Sequence, residues 1–438
     1  MASAHIPHTA TGDRQEGHAP DVTNGRWCVP SPASTIPTMR PLALITVIAL
    51  LALGCGPAAP TSVPAASPAP SAAAVDVSPR PPATELPSLA PGLARLEPAA
   101  GAYFGLNLDW DHETARTAGD ELGHLPSVWV QFARFPLDDG GRTNLDDFID
   151  QVASVGGIGL ITLEPFDGLG AVTAASAKEL ADLLAGYWTT KGVRTFVRFA
   201  HEMNGSWYPW SQQPAAYVSA FRRVAAAVHD GAPGSAMVWA PNQGWGYPFP
   251  SGTFAAKAGS AVIAELDTDG DGHLSPADDP YAPYYPGDDA VDWVGMSLYH
   301  WGLAYPWGEN EMPPAGSFAA MLGGQADGAH ADARAIPDFY KVYVEGHDRP
   351  MAIVETAILY DPAATNGPTE ADLKTAWFDE VFGPSTRAAF PRLRMFNWFE
   401  WRKKESEVGR VIDWRLGSDP TLARSLLDAV PGWLIFGG

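Results

Sequence analysis

Residues 194–210 read RTFVRFAHEMNGSWYPW. The first half is a β-rich run in which Phe196, Val197 and Phe199 favour an extended, buried backbone. It closes on Arg198, His201 and Glu202, and the chain then turns at Gly205 into three aromatics, Trp207, Tyr208 and Trp210. Seven more runs share the character of the first half: AYFGLNL from Ala102, VWVQFAR from Val128, GIGLITLE from Gly157, AMVWAPN from Ala236, VDWVGMSLY from Val291, PMAIVE from Pro350 and LRMFNWFEW from Leu393. Helical patterns separate them. Ser176 with Glu179 reads as a capping box, Pro214 as a first helical residue, and Thr369 with Asp372 as a second box. Eight β-runs alternating with helices predict an α/β chain folded as a (β/α)8 TIM barrel over residues 98–438, with its working face at the C-terminal strand ends.

Those ends carry a pattern. Asp109, Glu164, Glu202, Glu355 and Glu400 close or follow strands, others end at Arg134, Asn242 and Tyr299, and Trp110, Trp245, Trp301 and Trp401 lie close by. Carboxylates beside flat rings suit a sugar cleft, where acids serve hydroxyls and chemistry and rings cover pyranose faces.

Composition excludes other classes. With 46% hydrophobic residues and 16 Trp the chain can bury a large core, and 28 Lys plus Arg against 50 Asp plus Glu leave a net charge of −22, which repels phosphate backbones. Nucleic acid is therefore not an expected partner. The two cysteines, Cys28 and Cys55, make neither a disulfide framework nor a zinc site.

Residues 41–54, PLALITVIALLALG, form a 14-residue apolar run behind Met39 and Arg40, the length of a signal-peptide core rather than a membrane span. The run ends at Cys55, so 39–55 resembles a bacterial lipoprotein signal, with Ala52 and Leu53 departing from its usual order. The resemblance implies an exported protein held at the cell surface or in the periplasm by lipid on Cys55, its only expected link to a membrane. Residues 1–38 are polar and aperiodic and read as an unstructured, mis-assigned start. Residues 56–97 read as a linker, since ten of the 37 residues from Gly56 to Gly92 are proline.

Residues 267–278 read DTDGDGHLSPAD, with oxygen donors at loop positions 1, 3, 5, 9 and 12, Gly272 at the turn and Leu274 at position 8. This is similar to the calcium loops of EF-hands and dockerins. Asp267, Asp269, Asp271, Ser275 and Asp278 would give side chains and His273 its carbonyl, making a structural Ca²⁺ clip inserted between the fifth and sixth strands. Asp at position 12, in place of the usual Glu, shortens one arm.

The segment from Arg198 to Trp210 resembles the acid/base motif of family-26 glycoside hydrolases, a retaining (β/α)8 family of β-mannanases, mixed-linkage glucanases and β-1,3-xylanases. The resemblance spans residues 101–418. It implies Glu202 as general acid/base and Glu355, ending the seventh strand, as nucleophile, with the two carboxyls about 5–5.5 Å apart. It further implies that Tyr299 orients the nucleophile, that His201 and Trp207 bind sugar, and that Arg198 orients carboxylates. Glu164 is a further binding candidate. Trp401 or Trp398 would lie under the cleavage-site sugar; Trp401 is preferred because Trp401 and Arg402 echo a Trp-Arg pair of the mannanases, although Lys403 replaces the next Asn. The implied activity is retaining hydrolysis of internal β-1,4 bonds of mannan, as in mannan endo-1,4-β-mannosidase, with no catalytic cofactor. Mixed-linkage β-glucan and then β-1,3-xylan are the alternatives, because Trp-Tyr-Pro-Trp departs from the mannanase aromatic run. A surface glycan-binding protein without turnover is the alternative of a different class.

Overall fold

The computed structural model describes residues 92–326, 328–430 and 432–437. The expectations for 1–38, for 39–55 with Cys55, and for most of the linker lie outside the described residues. No helix among those described is long and apolar enough to cross a membrane.

Eight strands form one parallel sheet: β1 (Ala102–Leu108), β2 (Val128–Arg134), β3 (Ile158–Glu164), β4 (Thr195–Phe199), β5 (Ser235–Trp239), β6 (Trp293–Ser297), β7 (Met351–Thr356) and β8 (Leu393–Glu400). Each pairs with the next, and β8 pairs with β1 in register from Tyr103↔Met395 to Leu108↔Glu400, which closes the barrel. The fold is the expected (β/α)8 barrel. A short antiparallel hairpin, β9 (Arg402–Lys404) with β10 (Val411–Asp413), extends β8, and β11 (Leu434–Ile435) adds to the outer side of β1.

Strand alternation sorts the side chains into two cores. Tyr103, Val130, Leu160, Phe196, Val238, Trp293, Val354 and Met395 fill the barrel axis. The opposite faces pack against the helices, as Phe104 and Phe396 do on Phe382. The floor is closed by residues just before the barrel: the Trp293 indole donates to the Arg95 carbonyl at 2.6 Å and the Tyr103 hydroxyl to that of Leu96 at 3.1 Å.

Helix starts follow local chemistry. Pro214 opens the helix Pro214–Gly231, and Thr369 with Asp372 forms a capping box for Glu370–Phe382, as expected. The box at Ser176 differs from expectation. Thr173 is the N-cap there and Ser176 is its partner three residues on, so Ala174–Gly186 begins one turn earlier than the Ser176–Glu179 pairing predicted. Such caps are worth about 1 kcal/mol each.

Two irregularities position the working face. On β7 the pairing register with β8 shifts between Ile353 and Thr356, a bulge that lets both Val354 and Glu355 face the axis. Past β4, Ala200 and Glu202 take left-handed φ values of 48° and 53°, a conformation that costs a non-glycine residue about 1–3 kcal/mol. Neighbouring strands hold it: the Ala200 N–H donates to Leu163 at 2.8 Å and the Glu202 N–H to Ala240 at 3.0 Å.

Candidate active site

Arg198, inward-facing on β4, is the centre of the polar cluster. Its side chain is wholly buried, one guanidinium nitrogen donates to Glu355 Oε1, and the other donates to Ser297 Oγ at 2.8 Å. The second oxygen of Glu355 accepts the Tyr299 hydroxyl at 2.6 Å. Both oxygens of this carboxylate are thus fixed by donors, the arrangement that orients a nucleophile. A lone buried ion pair contributes little net stability, so this one is better explained by the chemistry it positions.

Glu202 stands across from it, half-buried, with Oε2 accepting the Trp207 indole N–H at 2.9 Å. Burial raises its pKa above the ordinary carboxyl range, and the negative charge of Glu355 raises it further, while Arg198, Ser297 and Trp207 pull it back. Two carboxyls with divergent environments are the signature of an acid and a base in one site. The turn that carries Glu202 is locked. Asn204 exchanges hydrogen bonds with the Asn242 backbone, both at 2.8 Å, and the Trp210 indole donates to the His201 carbonyl at 2.7 Å. Gly205 is required because a Cβ there would lie 2.5 Å from the Trp207 ring.

Glu164 joins the same cluster. Burial raises its pKa to about 8, with Arg198 opposing and Glu355 and Glu202 adding to the rise, and its Oε1 has no partner among the described residues. At neutral pH burial therefore favours its protonated form. His201 is buried against Phe132, Tyr208 and Trp210, and its Nε2 meets the Tyr208 hydroxyl at 3.1 Å. Burial, reinforced by Arg198, holds its pKa well below the usual imidazole value, so it is neutral, and Nδ1 has no partner among the described residues.

Trp398 on β8 and Trp401 just past its end separate. Trp401 is half-buried, donates to Asn107 Oδ1 at 3.2 Å and stacks on Phe399, which in turn meets Tyr299. Trp398 corrects the expectation. Strand alternation turns it outward, where it is fully buried near Phe378 and donates to the Trp414 carbonyl, so it cannot meet a sugar in the cleft. Of the five strand-end carboxylates, Glu164, Glu202 and Glu355 converge, and two do not. Glu400 also faces outward and accepts the Leu416 and Gly417 amides, while Asp109 pairs with His112. Trp110 likewise packs on Trp129 and Phe148 rather than in the cleft. Ser297 went unread in the sequence, since a serine inside an apolar strand gives no signal until its neighbours are known.

In the loop 267–278, carboxylate oxygens of Asp267, Asp269 and Asp271 lie within 4.8 Å of one another. Asp278 is buried; its Oδ1 accepts the Thr268 amide at 2.6 Å and its Oδ2 that of Ser275 at 2.7 Å, as Asp267 accepts the Gly270 and Gly272 amides at 2.8 and 2.7 Å. Ser275 Oγ accepts the Ala277 amide at 3.0 Å, and the His273 amide donates to Asp271.

No protein-family model matches the chain. Among curated proteins it is similar to endoglucanase H of Acetivibrio thermocellus, 23% identical over 294 residues, which cover 65% of this chain and 25% of that protein. The chain thus spans about a quarter of the length of that relative. Among solved structures it is similar to a double mutant of the Cellulomonas fimi endo-β-1,4-mannanase, with 16% identity over 77% of this chain and 72% of that one and a TM-score of 0.46. A second is the catalytic domain of the family-26 endo-β-1,4-mannanase of Bacillus sp. JAMB-750, with 14% identity over 77% of this chain and 87% of that one and a TM-score of 0.47. Solved structures to which this chain is similar include that family-26 mannanase and a family-1 β-glucosidase of Thermotoga maritima.

Proposed function

We propose that the protein is a retaining endo-β-glycanase that hydrolyses β-1,4 bonds of β-mannan. The observation that carries this reading is the paired environment of two glutamates: Glu355 held at both oxygens by Arg198 and Tyr299, and Glu202 raised by burial and by the charge of Glu355.

In the first step Glu202 gives its proton to the leaving glycosidic oxygen as Glu355 attacks the anomeric carbon, forming a glycosyl-enzyme. Once Glu355 is esterified its negative charge is gone, and with it one of the two causes that raise Glu202. Glu202, left as a carboxylate by step one, is therefore held in its ionised form and takes a proton from the water of step two, whose oxygen attacks the anomeric carbon and releases Glu355. Configuration at the anomeric carbon is retained. Glu164 and His201 would bind sugar hydroxyls, and Trp401 would cover a ring face.

The test is release of reducing ends from a panel of β-mannan, mixed-linkage β-glucan, β-1,3-xylan and cellulose, repeated with Glu202→Ala and Glu355→Ala. Mannan as best substrate supports the reading, and mixed-linkage glucan as best substrate supports its alternative. Binding with no hydrolysis of any polymer selects the non-catalytic reading instead.

Two further readings accompany it. Asp267, Asp269 and Asp271 would hold a structural Ca²⁺ with the His273 carbonyl, which would neutralise their mutual repulsion and fix the insertion. Saturating Ca²⁺ should then raise the melting temperature and EDTA lower it, since a ligand specific to the folded state stabilises by mass action; an unchanged melt with no bound metal rejects this reading. Export with a lipid anchor on Cys55 predicts that Cys55→Ser moves the protein from the membrane fraction to the soluble one.

A further inference from the structure

The loop that follows β6 carries aromatics which the chemistry above leaves unused. Starting from Tyr299 at the nucleophile, ring contacts run to Trp301 at 6.3 Å, from Trp301 to Trp307 at 5.4 Å, and from Trp307 to Tyr305 at 5.2 Å. Exposure is greatest at the far end of this line. Trp301 and Trp307 are half-buried, and Tyr305, 68% exposed, is the most exposed large apolar side chain among the described residues.

The loop backbone is tied down on either side of Tyr305. The Leu303 N–H donates to Glu311 Oε2 at 2.7 Å and its carbonyl accepts the Ala331 amide at 2.9 Å. Arg410 donates to the Gly308 carbonyl at 2.6 Å while pairing with the buried Asp361 at 2.8 Å. Trp301 is wedged on its other side against Trp414 at 4.8 Å. Folding alone gives no reason to fix an apolar tyrosine ring in water at the end of a line of rings. A flat ring that must meet another flat apolar surface does, and the C–H face of a pyranose is such a surface.

Resting on the β-glycan reading, we infer that Trp307 and Tyr305 form a distal subsite that stacks a sugar unit of the same polysaccharide, remote from the bond being cleaved. The line of rings begins at Tyr299 beside the nucleophile, in steps of 6.3, 5.4 and 5.2 Å, so the proposed subsite lies within a few sugar units of the catalytic centre. The site acts through ring faces, which makes it tolerant of hydroxyl configuration. Its contribution is therefore to the length of chain preferred and not to the identity of the sugar.

The experiment uses the full chain with Tyr305→Ala and, separately, Trp307→Ala. Affinity electrophoresis in gels containing mannan or mixed-linkage glucan is run on each variant in a Glu355→Ala background, where no hydrolysis occurs. Retardation by the polysaccharide should fall at least several-fold relative to Glu355→Ala alone. With Glu355 intact, kcat/KM should drop about tenfold on the polymer and on long oligosaccharides and stay unchanged on the shortest one hydrolysed. Equal retardation with and without the rings overturns the subsite, as does an equal loss of kcat/KM at every chain length, which would mark the loop as a support of the catalytic centre. Absence of hydrolysis by the parent chain would reject the chemical reading, while the gel result still decides the subsite.

Discussion

Replacing Tyr299 with Phe removes one hydroxyl and leaves the ring, whose contacts with Phe399 at 5.7 Å and Trp414 at 5.4 Å keep it in place. What is lost is the donor 2.6 Å from Glu355 Oε2. A hydrogen bond to a charged group is worth about 1.5–3 kcal/mol, and each 1.36 kcal/mol is about tenfold in rate, so kcat/KM should fall about 10–150-fold. The loss should fall on kcat, because the hydroxyl is committed to the carboxylate and not to sugar. Initial rates on the preferred polysaccharide and on a defined oligosaccharide measure the split, with the melting curve as a control for folding. A raised KM at unchanged kcat would mean that the hydroxyl binds substrate, and full activity would mean that Arg198 alone orients Glu355; either result refutes the reasoning.

Other perturbations test other contacts. Trp207→Phe deletes the donor that favours the ionised form of Glu202, so the pKa of the acid should rise and the alkaline limb of the kcat/KM–pH profile should move to higher pH. Gly205→Ala places a Cβ against the Trp207 ring and should displace that same donor, lowering activity at least tenfold with little change in melting temperature. Glu164, raised to about 8 chiefly by burial, holds a proton in the folded state that the unfolded chain releases near its ordinary value of 4.5. Its contribution to stability is therefore complete below about pH 4.5 and lost as pH climbs toward 8; the parent-minus-variant difference in melting temperature for Glu164→Gln should show that decline, and a flat difference would contradict it.

Much of the barrel was legible because β-formers at barrel spacing leave few alternatives: β1 and β2 begin and end where their apolar runs do. The site was legible where charge and aromatics cluster, as in Arg198–Trp210, and where a strand ends in a carboxylate. Geometry beyond the local pattern was not. Whether Trp398 or Trp401 faces the cleft depends on which side of the sheet a residue falls, and one step past the strand end reverses the answer. Glu355 faces inward beside Val354 because of a bulge that no residue in MAIVE announces. Asp278 has the spacing of a metal ligand, and nothing in that spacing announces that three loop amides also donate to it.

The central claim is that Glu355 attacks the sugar and Glu202 handles the proton. Trapping the enzyme with a slow 2-fluoro glycoside of the preferred sugar, followed by peptide mass spectrometry, tests this most directly. The account predicts a single covalent sugar on Glu355, formed more slowly in Tyr299→Phe and absent in Glu355→Ala; a sugar attached to Glu202, to Glu164 or to no residue of an active enzyme would contradict it.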